Sequence, residues 1–148
     1  LILKELTLIK PEKKTFTLQS LDKIAEQIKR RGLIIIFSDF LDDPNKVMNT
    51  LKHFRHNNHE IIVFHILDPL EVSFAFGKDA VFIDMESNEE LTTQPFHIQK
   101  AYQNEMQKFI NFYKKECLMN QIDYVLLETN TPFDIALFNY LRKRSKLN

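Results

Sequence analysis

What this chain has least of already excludes several functions. One residue in 148 is cysteine, Cys117, so no internal disulfide can form, and a reducing compartment suits it. Only two are glycines, Gly32 and Gly77. Neither opens a strand-to-helix turn with glycine partners, which excludes a P-loop and a dinucleotide-binding fingerprint. No charge of one sign prevails. The 20 lysines and arginines balance 20 aspartates and glutamates, so nothing points to nucleic acid, an anionic membrane or an acidic substrate. The cations Arg142, Lys143, Arg144 and Lys146 follow an apolar helical pattern and read as the solvated end of a helix, where positive charge is favoured. No apolar run approaches the length of a membrane span and no signal-peptide pattern opens the chain, so a soluble, cytoplasmic protein is expected. The length suits one domain, 1–148, with one core. Its opening on Leu1, inside an apolar helical period, suggests a piece of something longer.

What is present reads as alternating helices and strands. Apolar residues at 1, 2, 5, 8 and 9 make a short helical period stopped by Pro11. After the linker "PEKKTFT", Leu18, Leu21, Ile24, Ala25 and Ile28 share one helix face, which ends in "KRRG" with Gly32 expected as the C-terminal cap. "LIIIF" (33–37) is uniformly apolar and predicts a central parallel strand covered on both faces. Asp43 before Pro44 predicts a capped helix start. Val47, Met48, Leu51 and Phe54 form its apolar face, and "IIVFHIL" (61–67) is a second buried strand.

The pattern changes over about 71–95, where short alternating stretches around turn signals predict an inserted antiparallel hairpin or meander. A long helix follows over about 96–120, with Ile98, Tyr102, Met106, Phe109, Tyr113 and Leu118 on one face. "DYVLLET" (123–129) is the third parallel strand. The last helix carries Ile135, Phe138 and Leu141 at three-residue steps. The fold class is therefore α/β, a mainly parallel sheet with helices on both faces plus a β-insertion. Three strands make a half-sheet, and the strand ending at Asp39 is expected to lack a neighbour unless another segment or a second copy supplies it.

Open α/β sheets bind ligands beyond the carboxyl ends of their strands. Three strands deliver polar residues there: Ser38 and Asp39, Asp68, and Glu128 with Thr129. A hard divalent cation needs oxygen ligands of this kind. Asp43 has the alternative duty of a cap, and Asp42 that of facing water. His53, His56 and His59 have no cysteine or carboxylate partner at zinc spacing and read as a solvated helix end. His65, inside a strand, reads as a hydrogen-bonded core histidine. Cys117 reads as packing, while Phe74 and Phe76 could form an exposed contact patch. No nucleophile is coupled to an oriented base, so no catalytic residue can be named.

"RRGLIIIFSDFLDDP", "LKHFRHNNHEIIVFHILDPLEVSFAF" and "IDYVLLETNTPFDIALFNYLRKR" together resemble the C-terminal half of a bacterial family of von Willebrand factor A-like proteins, domain-of-unknown-function family 58. The resemblance implies a Rossmann-like sheet that carries, in complete members, a metal-ion-dependent adhesion site for Mg²⁺ or Mn²⁺. Such a site combines an Asp-x-Ser-x-Ser loop, a threonine from a second loop and an aspartate at the end of the strand matching "LIIIFSD". By this correspondence Thr15 is the threonine, Asp39 the aspartate and Ser38 its neighbour. This sequence departs in two ways: it contains no Asp-x-Ser-x-Ser, and Thr15 is followed by Phe16 rather than Asp. The N-terminal strands of the full domain are expected to be absent, the site incomplete and this chain without a bound ion.

The resemblance also implies a non-enzymatic protein-interaction module that partners a MoxR-type AAA+ ATPase in complex assembly. The alternative is a Mg²⁺-dependent phosphoryl-transfer or hydrolytic enzyme using Asp39 and Asp68.

Overall fold

The computed structural model describes positions 7, 8, 21, 23–25, 27, 28, 30–76, 80–83, 90–93 and 95–145. In chain order the elements are β1 (Leu33–Ser38), α1 (Pro44–His56), β2 (Glu60–Leu67), α2 (Pro69–Ser73), β3 (Ala80–Ile83), β4 (Glu90–Thr93), α3 (Pro95–Met119), β5 (Asp123–Glu128) and α4 (Phe133–Ser145). The order strand, helix, strand forces crossover connections, and β1, β2 and β5 accordingly form a parallel sheet in the order β1-β2-β5. β3 and β4 pair antiparallel by themselves. This is an α/β arrangement.

Helices cover the sheet on two faces. On one, Ile36, Ile61 and Val63 pack with Val47, Met48, Leu51 and Phe54 of α1 and with Tyr113 and Cys117 of α3. On the other, Ile62 and Phe64 meet Tyr140 of α4. Arg144 ties that helix to the sheet by donating to the Tyr140 hydroxyl and by pairing with Glu60, and the Tyr140 hydroxyl donates to Asp123. Among the described residues no helix is long and apolar enough to cross a membrane.

Several expectations are corrected. β1 is not covered on both faces: Leu33, Ile35 and Phe37 are 51, 47 and 64% exposed, while Ile34 and Ile36 point into the core. The strand covered on both faces is β2: Ile61 and Val63 are buried with residues of α1 and α3 on one face, and Ile62 and Phe64 with Tyr140 of α4 on the other. An unbroken apolar run does not by itself tell a two-faced strand from one that alternates burial. Glu71 to Ser73, read as the start of the insertion, instead belong to α2, whose capping box favours a helical turn over an extended one. Gly32 does not adopt a left-handed backbone. Its amide donates to His59 Nδ1 and its carbonyl accepts from Glu60, so it serves as a docking point for the start of β2 rather than a helix cap.

In α3 the buried face is Met106, Ile110, Tyr113 and Cys117, whereas Leu118 is exposed. In α4 the buried described side chain is Tyr140, and Ile135, Phe138 and Leu141 face outward. His59 is buried rather than solvated, while His53 and His56 are exposed. Phe74 is buried too, closing α2 in a left-handed conformation and stacking on Tyr102 at 4.3 Å. Only Phe76 of that pair is exposed.

Candidate functional site at the strand ends

β1 ends in Ser38 and then turns sharply. The Ser38 hydroxyl oxygen accepts from the Phe40 amide at 3.0 Å, and Asp39 Oδ1 accepts from the Leu41 amide at 3.3 Å. Phe40 takes φ 53°, the left-handed region that costs a residue with a Cβ on the order of 1–2 kcal/mol. Buried contacts hold it there: its ring lies edge-on to His65 at 5.5 Å and tilted against Tyr113 at 5.2 Å. Its carbonyl accepts from the Tyr113 hydroxyl at 3.4 Å.

The turn is also held from β2. His65 is fully buried, and its Nε2 lies 2.9 Å from the carbonyl oxygen of Asp39. A carbonyl can only accept, so Nε2 carries the proton. Nδ1 then accepts from the Tyr124 hydroxyl of β5 at 2.7 Å. Burial lowers the His65 pKa, opposed in part by the hydrogen bond to Asp39 and by its charge. A neutral imidazole with a fixed tautomer thus links β5, β2 and the end of β1, and leaves the Asp39 side chain exposed beyond the sheet.

The other acids at these strand ends are occupied. Asp43 Oδ1 accepts from the Asn45 and Lys46 amides and caps α1. Asp68 caps α2: Oδ1 accepts from the Leu70 amide at 2.8 Å, Oδ2 from the Thr129 hydroxyl at 3.1 Å, and its own amide donates to Glu71. Asp42 is exposed.

Of the three residues matched to an adhesion site, Ser38 and Asp39 are adjacent at the end of β1, and Thr15 lies outside the described residues. Among the described residues no group of three or more His, Cys, Asp or Glu side chains could hold a metal ion. One carboxylate and one hydroxyl that already accepts from an amide fall short of the oxygen set a divalent cation needs, so these residues alone do not fit one.

Cys117 is no nucleophile. It is fully buried, and desolvation, with the nearby Glu116 charge adding to it, pushes its thiol up to about 12. Sequence reasoning placed His65 in the core but missed Tyr124 as its partner. The two are 59 positions apart, and no short-range pattern couples them.

A family model described as "Protein of unknown function DUF58" matches residues 1–109. No curated protein and no solved structure matches the chain.

Proposed function

This chain belongs to the DUF58 family of proteins of unknown function, and we propose that it is a non-enzymatic protein-interaction module of the von Willebrand factor A type, built on a Rossmann-like sheet. Its partner is a MoxR-type AAA+ ATPase, and its docking residue is Asp39.

One observation carries the reading: the exposed Asp39 carboxylate stands on a turn whose main chain is locked from below by His65, Tyr124 and Tyr113. Rigid support under an outward acid favours a docking contact, because the turn that carries it loses little main-chain freedom on binding. Ser38 and Asp39 supply this chain's share of an adhesion-type site, which Mg²⁺ or Mn²⁺ would occupy only with Thr15 and further oxygen donors. The engagement of both Asp68 oxygens, one in capping α2 and the other by the Thr129 hydroxyl, favours binding over hydrolysis, since a hydrolytic site would need that carboxylate free.

The test is interferometry of a purified MoxR-type ATPase on the immobilised chain, in Mg²⁺ and in EDTA. Asp39→Asn is expected to weaken binding by roughly tenfold or more, about 1.4 kcal/mol. Equal binding of both forms would remove Asp39 from the interface, and no binding by either would remove the ATPase. Hydrolysis of a generic phosphate ester that Asp39→Asn abolishes would overturn the non-enzymatic reading.

A further inference from the structure

The sheet has a second edge, at β5, and there it faces a groove. The strand order leaves β5 paired with β2 alone among the described residues. Beside it the outer flank of α3 stands away from the sheet and leaves a cavity of about 420 Å³. Ile110, Leu118 and Leu126 supply its apolar walls; Asn111 and Lys114 line its helix side and Tyr124 its strand side. Positions 107, 111, 114 and 118 recur at helical steps, so this stripe runs next to the core stripe of 106, 110, 113 and 117.

The strand side offers main-chain groups. The amide of Thr129 donates to the carbonyl of Leu67 in β2. Main-chain groups alternate direction along a strand. Those of Tyr124 and Leu126 therefore point away from β2, toward the open edge. Exposed edges are normally guarded by lysine or proline, and "DYVLLE" contains neither. The β1 edge differs, because its side chains Leu33, Ile35 and Phe37 are exposed. A strand edge walled by a helix is the geometry in which an extended peptide adds to a sheet, with alternate side chains entering the groove.

Lys114 fixes the chemistry of the occupant. It makes no ion pair among the described residues. Asp123, the acid that lines the same groove, is engaged by the Tyr140 hydroxyl at 2.9 Å. We infer that the groove between α3 and the β5 edge, unpaired among the described residues, binds an extended segment of another protein by strand addition, apolar at alternate positions and bearing a carboxylate that meets Lys114. The groove does not involve Asp39 or a metal. All but one of its lining residues lie after position 109, beyond the stretch that the family model matches.

The experiment selects from a displayed library of random twelve-residue peptides on the full chain in EDTA, which separates this surface from any metal-dependent docking. The recovered peptides are expected to alternate apolar residues and to carry Asp or Glu. On titration the best of them should shift the Tyr124 and Leu126 amide resonances and slow their hydrogen exchange by roughly tenfold or more.

Leu126→Pro removes an outward N–H that no β2 bond uses and should abolish binding. Lys114→Glu, a surface change that leaves the backbone intact, should weaken binding roughly tenfold and turn the selected charge to Lys or Arg. Failure to enrich any sequence, or peptides that leave both amides unchanged, would overturn the inference. So would a dimer, seen by light scattering, that Leu126→Pro dissolves, because the edge would then belong to a second copy.

Discussion

His65 sets a pH limit on this protein. Its ring is buried, donates to the Asp39 carbonyl and accepts from Tyr124, the arrangement of the neutral form. Burial lowers its folded-state pKa below the ordinary 6.5, so between that lowered value and 6.5 the unfolded chain binds the extra proton and the folded chain does not. The stability contributed by the neutral ring is thus complete above about pH 6.5 and is lost as the pH falls below it. Urea midpoints should decline from pH 7 to pH 5 in the native chain, and the decline should flatten in His65→Gln. Tyr124→Phe leaves Nδ1 a buried acceptor without a donor and should cost about 1–3 kcal/mol. Asp39→Asn keeps the carbonyl that His65 uses, so its melting temperature should stay near native, within about 0.5 kcal/mol of stability. That separation lets a binding defect in Asp39→Asn be read as a binding defect. The histidine itself was legible, since it interrupts the apolar run "IIVFHIL". The turn it supports was not, because nothing local in "SDFLDD" announces that a buried phenylalanine will take a left-handed backbone.

At the scale of elements, the three acids following "LIIIF" divide their duties. Asp43 holds two amides at the start of α1, whereas Asp42 is exposed. In thermal unfolding Asp43→Ala should lose about 1 kcal/mol, and Asp42→Ala should remain within about 0.5 kcal/mol. Equal losses would mean that the cap does not depend on Asp43. The cap, α1 and the long α3 could be read from sequence because their signals are local: a carboxylate before proline, and apolar residues at helical steps. Which face of a helix ends up covered depends on what stands opposite. Periodicity chose Phe138 and Leu141 in α4 as the packing face, but the sheet offers a place for Tyr140 against Phe64, with Asp123 and Arg144 to satisfy its hydroxyl. In the same way, Leu33, Ile35 and Phe37 are as apolar as the residues of β2, and only the absence of a covering layer distinguishes them.

At the scale of the whole molecule, the parallel sheet has three strands among the described residues, and its two edges differ in kind. β5 lies beside a helix-walled groove, and β1 presents bare apolar side chains along its length. Phe37 stacks on Phe64 at 4.9 Å with the larger part of its surface still exposed, and Phe133 and Phe138 of α4 are exposed as well. A long edge strand with isoleucine and phenylalanine outward, and no lysine or proline within Leu33–Ser38, is a template for pairing with another chain. We therefore expect concentration-dependent self-association in sedimentation velocity. Ile35→Lys places the usual edge guard on the exposed face and should shift the population to monomer without changing the far-ultraviolet spectrum. A wild-type chain that stays monomeric at high concentration would show that the β1 edge is covered in solution. Association that Ile35→Lys leaves intact would place the contact on α4 instead. Because β1 and β5 lie at opposite edges of the sheet, Ile35→Lys should leave peptide binding at Lys114 and Leu126 at full strength. The two surfaces can then be separated in one chain.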